Sequence, residues 1–178
     1  MDQILTPWLY RRWAFEFPAE LYPAVIERLR GTPARVTAMF ESTPTELIAA
    51  RPEHGWSIIR HAAHLDDLDT LLHQRLDAYE RGEHVLPPAD MSNAHATEAD
   101  HESRDPRQVL ASLRETRSQP IDRLEAYPRD FFSRSAWHER LGIQKRVVDC
   151  CVFFADHDDH HLALSRHVLR TLTHKTDA

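Results

Sequence analysis

Glycine is scarce in this chain of 178 residues: only four are present, about 2% against a usual share of about 7%. Valine and isoleucine together number 15, whereas leucine and alanine together number 39. Glycine-rich nucleotide-binding folds and β-sandwiches depend on the residues that are rare here, while leucine and alanine favour helices. The composition therefore argues against those two classes and predicts an all-α protein.

Cysteine, positive charge and long apolar runs are also lacking. The two cysteines, Cys150 and Cys151, are adjacent, so they offer no disulfide framework. The net charge of −6 argues against nucleic-acid binding. No run approaches the roughly 18 uncharged residues of a membrane span, and charged residues interrupt the aromatic N-terminus, unlike a signal peptide. We expect one domain over residues 1–178, in the cytoplasm and without a membrane partner.

Four long stretches have apolar residues at helical spacing. They run from about Pro18 to Ser42, from Ser57 to Arg81, from Asp105 to Leu124 and from Gln144 to Leu172. Ser57 and Asp105 are candidate N-caps, and Gly82 is a typical helix stop. Gly31 and Pro33 predict a kink in the first helix, and Pro120 predicts a bend in the third.

The connection between the second and third helices, residues 82–105, is long for a compact protein. Connections of this length tend to be functional or disordered. Four helices with one long crossover predict an antiparallel-type four-helix bundle. We expect the first 17 residues to pack across this bundle as a short extra helix.

Histidine is the abundant residue that needs an explanation, with 13 in the chain. At about 100° per residue, His157 and His161 lie on the same face of the last helix as Phe154 and Val168. They are one turn apart, and buried imidazoles need hydrogen-bond partners or a ligand. The spacing is that of a recurrent zinc half-site. The alternative is one hydrogen-bonded core histidine and one that lines a polar cavity.

A second pair of histidines, His61 and His64, lies in the second helix, followed by three aspartates. His61 is nearer the centre of the apolar stripe, so periodicity slightly favours His61 as the buried member. Spacing alone does not choose between the two as a ligand.

Three short motifs together resemble the DinB-like superfamily. They are Trp56-Ser57, His64-Leu65 eight residues after the tryptophan, and His157-x-x-x-His161 in the last helix. The resemblance extends from about Leu21 to Leu172. Members of this superfamily are four-helix bundles and include thiol-dependent S-transferases.

The resemblance implies one divalent metal ion held by His64, His157 and His161, which overrides the periodicity preference for His61. Three neutral imidazoles suit zinc, nickel, iron or copper, so the ligand type does not choose the metal. We expect zinc first, with nickel or iron as alternatives. Three protein ligands leave coordination positions open, as in a reactive site. The pair lacks the glutamate that a zinc protease carries directly after its first histidine.

The resemblance thus implies an enzyme that acts on a small molecule, either an S-transferase that uses a low-molecular-weight thiol or a metal-assisted hydrolase. One alternative is a non-catalytic metal-binding stress-response protein. Another is a helical scaffold whose histidines are structural. We also expect a homodimer, through a face that the sequence does not identify.

Six further residues are candidates for contact with the ligand histidines or the substrate: His61, Asp67, Asn93, His95, Asp158 and His160. Asp67 and Asp158 are the nearest carboxylates in sequence that could accept a hydrogen bond from a ligand ring. Asn93 and His95 lie in the long connection and could close over the metal. The remaining histidines, His138 among them, are expected at the surface or at an interface. The two cysteines are expected to be packing residues of the last helix and not nucleophiles.

Overall fold

The computed structural model describes residues 5–91 and 100–176 and has six α-helices and one two-stranded hairpin within them. The elements are α1 (Tyr22–Arg30), α2 (Thr32–Glu41), α3 (Thr45–Ile48), α4 (Ile58–Arg81), α5 (Pro106–Ala126), β1 (Ser135–His138), β2 (Ile143–Arg146) and α6 (Val147–Thr176). Long helices pack together as a bundle, which confirms the all-α prediction. None of the described helices has both the length and the apolar character that a bilayer crossing requires.

Helix α4 begins and ends where its sequence predicts. The hydroxyl of Ser57 accepts a hydrogen bond from the backbone N–H of Arg60 at 3.3 Å, which caps the first turn. Gly82 ends the helix at φ 67°, a left-handed conformation that glycine adopts without strain. Helix α5 is capped in the same way, because Asp105 accepts a hydrogen bond from the N–H of Arg107 at 2.8 Å. Its Pro120 lies inside the helix.

The predicted first helix, Pro18 to Ser42, is wrong as a single element. It divides at Gly31 into α1 and α2, the point where the sequence predicts a kink. Pro33 lies in the first turn of α2, where a missing N–H costs no hydrogen bond. Before α1, residues Ala19–Leu21 form a short 3-10 turn instead of α-helix.

The last helix begins at Val147 rather than at Gln144, because residues 143–146 form a strand. Strand β2 pairs antiparallel with β1, with Trp137 opposite Gln144. Gly142 turns the chain before β2 at φ 64°. Two strands of four residues each are too short for an alternation signal, so the sequence did not reveal this hairpin.

The N-terminal segment crosses the bundle as predicted, but it is not an α-helix. It contains a 3-10 turn at Trp8–Tyr10 and is otherwise without regular structure up to Phe17. The Arg146 guanidinium donates a hydrogen bond to the carbonyl of Phe17 at 2.9 Å and so ties the segment to the start of α6. Trp13 packs against Phe153 of α6 at 4.8 Å between ring centroids.

The apolar core consists of two groups of side chains. Helix α4 packs against α5 and α6, and α1 packs against α6. Along α6, the first group ends at Ala155 and the second begins at Leu162. The predicted histidines occupy the two turns between them, so the bundle interior is polar at this level.

Candidate metal centre

Three histidines from two helices converge in the bundle. His64 comes from α4, and His157 and His161 come from successive turns of α6. One ring nitrogen from each lies within 4.8 Å of the other two. His157 and His161 are buried and His64 is half-buried. The structure thus brings together the three residues that the family resemblance implied.

The separation of the nitrogens fits a shared metal ion. The Nε2 atoms of His157 and His161 are 3.2 Å apart. Two imidazoles bound to tetrahedral zinc at about 2.0–2.1 Å place their nitrogens about 3.4 Å apart. Three nitrogen donors with neutral rings are also the chemistry that zinc, nickel or iron accepts. The residues present therefore fit a divalent transition metal.

His61 contacts one of these three histidines from behind. Its Nδ1 lies 2.8 Å from the Nδ1 of His161, and its side chain is buried. If Nε2 of His161 is a ligand, the ring proton is on Nδ1, which then donates this hydrogen bond to His61. Periodicity was therefore right that His61 is the more buried of the pair, and the resemblance was right that His64 joins the cluster.

Burial keeps these imidazoles neutral at physiological pH. Desolvation lowers the pKa of His61 to about 3 and that of His64 to about 4. Burial also lowers the pKa of His157 and His161 far below the ordinary value, and neighbouring imidazoles add to the effect. A neutral ring keeps a lone pair available, so the cluster is ready to bind a cation.

The two candidate carboxylates have different surroundings. The charges of Asp67 and, to a smaller extent, Asp158 raise the pKa of His64, against the larger opposing effect of burial. Asp158 accepts hydrogen bonds from Arg117 and from the hydroxyl of Thr32, the latter at 2.7 Å. The carboxylate of Asp158 therefore belongs to an ion cluster with Arg117 and Thr32.

His160 lies beside the cluster without belonging to it. Its Nδ1 is 3.0 Å from Nη2 of Arg11, a residue of the N-terminal segment. The Trp8 ring packs edge-on against His157, with 4.8 Å between centroids. Asn93 and His95 lie outside the described residues.

The histidine cluster forms part of a pocket of about 170 Å³ between α4, α6 and the N-terminal segment. Aromatic and apolar side chains make much of its lining: Trp8, Leu9, Trp56, Leu68, Leu71, Phe153 and Phe154. Such a lining is typical of a ligand-binding site, and the pocket leaves room for a small molecule next to the three histidines.

The pocket lining also contains cationic residues that sequence reasoning missed. Arg75 and Arg140 line it together with His138, which is buried and not at the surface as predicted. Arg75 lies three turns of α4 beyond His64, on the same face, so helical spacing from His64 could have found it. Arg140 and His138 come from the hairpin, for which the sequence gave no signal.

A second buried polar group, an ion cluster around Arg117, lies on the neighbouring face of α6. Arg117 of α5 donates from Nε to both oxygens of Asp69 at 2.9 Å and from Nη1 to the carbonyl of Leu29 at 3.1 Å. It also donates from both Nη atoms to Asp158. All three nitrogens of this guanidinium are therefore hydrogen-bonded, and the cluster joins α1, α4, α5 and α6.

Comparison with known proteins agrees with this architecture. A family model described as the DinB superfamily matches residues 28–165. Among solved structures, the chain is similar to YfiT from Bacillus subtilis, with 19% identity and a TM-score of 0.78 over 92% of this chain and 94% of that one. YfiT is described as a probable metal-dependent hydrolase with an unusual four-helix bundle topology. No curated protein matches. The family match covers most of the chain, and the chain belongs to the DinB superfamily.

Proposed function

We propose that this protein is a metal-dependent enzyme that acts on a small molecule, with His64, His157 and His161 as the ligands of one divalent ion. Zinc is our first choice of metal, ahead of nickel and iron. The observation that carries the proposal is the convergence of three neutral imidazole nitrogens within 4.8 Å at the wall of a pocket. A structural metal site would have a closed set of four ligands, whereas the described residues supply three.

The chemistry follows from an incomplete set of protein ligands. A divalent ion held by His64, His157 and His161 would supply Lewis acidity, which would lower the pKa of a water or thiol at neutral pH. With the ion bound at Nε2 of His161, the ring proton would be on Nδ1, where Nδ1 of His61 lies 2.8 Å away to accept it in a hydrogen bond. Trp8 and Trp56 pack against the histidines and restrict the access of bulk water.

We propose hydrolysis as the first reaction to test, because the structural neighbour YfiT is described as a probable metal-dependent hydrolase. Thiol transfer is the second, because the superfamily includes thiol-dependent S-transferases. A low-molecular-weight thiol partner, a cytoplasmic location and a homodimer stay predictions.

The metal site is tested by elemental analysis of purified protein. We expect about one transition-metal ion per chain, lost in a His157→Ala/His161→Ala double variant because both ligands on α6 are removed. The matched control is His167→Ala/His174→Ala, which removes two histidines from the same helix outside the cluster. Equal metal content in all three proteins would exclude the proposed site.

Catalysis is tested on the metal-loaded protein with small esters, amides and lactones, and separately with thiols plus electrophilic substrates. We expect at least a hundredfold loss of the observed turnover in His64→Ala, since one ligand is missing. Metal binding without turnover in both screens would favour the non-catalytic metal-binding alternative.

A further inference from the structure

Arg75 is a buried cation whose hydrogen bonds are incomplete. Its side chain is only 1% exposed, although it lines the pocket that contains the histidine cluster. Nε donates to the carbonyl of Pro87 at 3.3 Å, and Nη2 lies 3.3 Å from Nε2 of His138. Nη1 is buried and has no hydrogen-bond partner among the described residues. A buried charged group in this state is costly unless a ligand completes its bonding.

Other cations surround Arg75. Arg140 lines the same pocket, and the two guanidinium groups are close enough for Arg75 to lower the pKa of Arg140. Lys145 lies behind the pocket wall, with its Nζ 3.7 Å from the ring centroid of Phe153. Its amine is fully buried and has no hydrogen-bond partner in the described part of the chain. This side of the pocket therefore concentrates positive charge.

Among the described residues that line the pocket, guanidinium groups outnumber carboxylates. No ion pair within 4.0 Å joins Arg75, Arg140 or Lys145 to a carboxylate in residues 5–91 and 100–176. Asp90 is the carboxylate among the described lining residues, which gives one negative charge against two guanidinium groups. Arg117, by contrast, has two buried carboxylate partners. The excess of cations at the pocket wall is thus a property of this region of the bundle.

We propose that the ligand of this pocket carries a carboxylate, which pairs with Arg75 and Arg140 while the rest of the molecule reaches the three histidines. A guanidinium binds carboxylates through short, charge-assisted hydrogen bonds. The volume of about 170 Å³ suits a small organic acid. The proposal relies on the proposed function for the reaction, but the anion site itself requires no metal. The carboxylate belongs either to the substrate or to a thiol that acts with it.

The first experiment compares a carboxylate with its neutral isostere. Propionate and propionamide are titrated into metal-free and zinc-loaded protein, with binding followed by calorimetry and by the fluorescence of Trp8 and Trp56. We expect propionate to bind at least about tenfold more tightly than propionamide in both forms, because Arg75 and Arg140 do not depend on the metal. Equal affinity of the two probes, or binding of inorganic phosphate alone, would overturn the proposal.

Variants of the arginines then test whether Arg75 and Arg140 cause the preference for propionate over propionamide. Arg75→Gln should reduce the ratio of the two dissociation constants to about threefold or less, while Arg75→Lys should keep part of it. The matched control, Arg114→Gln, removes an exposed arginine outside this pocket and should leave the ratio unchanged. If Arg75→Gln does not fold, Arg140→Gln is the deciding variant. An unchanged ratio in a folded pocket variant would contradict the proposal.

A third arm identifies which molecule carries the carboxylate. If it belongs to the thiol, 3-mercaptopropionate should bind the zinc form at least tenfold more tightly than propionate or cysteamine. If it belongs to the substrate, saturating 2-mercaptoethanol should leave the affinity for propionate unchanged. Both results support an anion site. A carboxylate preference in protein that binds no metal would reject the proposed function alone, and metal binding without that preference would reject this inference alone.

Discussion

Two buried polar regions adjoin along α6 and differ in how completely their polar atoms are hydrogen-bonded. In the ion cluster around Arg117, each nitrogen of the guanidinium donates to a carboxylate or a carbonyl. In the histidine pocket, Nδ1 of His157, Nη1 of Arg75 and Nζ of Lys145 are buried without a hydrogen-bond partner among the described residues. The two regions adjoin at consecutive residues, His157 and Asp158.

The difference separates a structural site from a binding site. A buried ion cluster that satisfies its own donors gains nothing from a ligand and holds helices together. A pocket whose donors and acceptors lack partners gains bonding when an ion or a small molecule enters. Burial and polarity are similar in both regions and therefore do not tell a binding site from a structural one. The better criterion is whether each buried polar atom has a hydrogen-bond partner.

The largest expected effect on stability concerns the ion cluster around Arg117. Arg117→Met leaves the carboxylates of Asp69 and Asp158 buried without their cation, and we expect the free energy of unfolding to fall by about 3–5 kcal/mol. Chemical denaturation measures this change. A triple variant that adds Asp69→Asn and Asp158→Asn should recover much of the loss, since no charge is then left unpaired. A loss below about 1 kcal/mol in Arg117→Met would show that the cluster is not structural.

A smaller effect is expected from His61. His61→Phe removes the partner of Nδ1 on His161 while it keeps an aromatic ring in the core. We expect zinc affinity to fall about 10–100-fold, because the orientation and proton position of His161 are no longer fixed. Competition with a chromophoric chelator measures the affinity, and His73→Phe on the same helix is the control. Unchanged affinity would mean that His61 only fills space.

The buried amine of Lys145, which lies behind the wall of the histidine pocket, should make the free energy of unfolding depend on pH. Burial lowers the pKa of Lys145 to about 7 from an unfolded value near 10.5. Between these values the unfolded chain binds more protons, so this residue makes the free energy of unfolding rise with pH, by at most about 1.4 kcal/mol per unit. Lys145→Met should remove that rise and be more stable at pH 7. Parallel stability curves for the two proteins would contradict this.

The smallest effect is expected at the surface. Arg30 pairs with Glu27 and Glu125, but its charge is solvated and contributes little. Arg30→Ala should leave the thermal midpoint unchanged within error, as judged by calorimetry. A loss as large as that of Arg117→Met would show that ion pairs matter here irrespective of burial.

Helical features with strong local signals could be predicted from the sequence. Ser57 and Gly82 mark the ends of α4 correctly because a cap and a stop act within a few residues. The β1–β2 hairpin could not be predicted, because its strands are too short to show an alternating pattern. In addition, residues 144–146, just before α6, are compatible with a helix. The start of the last helix was therefore placed at Gln144, three residues too early.

The histidine cluster was predictable only in part. The i, i+4 spacing identified His157 and His161, but His61 and His64 were equivalent by spacing, and the family motif chose between them. His138 and Arg140 approach the pocket from the hairpin, a contact over long sequence distance that periodicity does not contain. The partner of a buried group is a tertiary property, so the unbonded Nη1 of Arg75 is visible only in the structure.

Because His157 and Asp158 are consecutive residues of α6 and belong to the two different polar regions, the length of the helix before them is constrained. These successive residues of α6 lie on faces about 100° apart, with His157 toward the pocket and Asp158 toward Arg117. One inserted or deleted residue between Val147 and His157 would turn the following side chains by about 100° and break both regions at once. The stretch of α6 between Val147 and His157 therefore has a fixed length in any chain that keeps both regions.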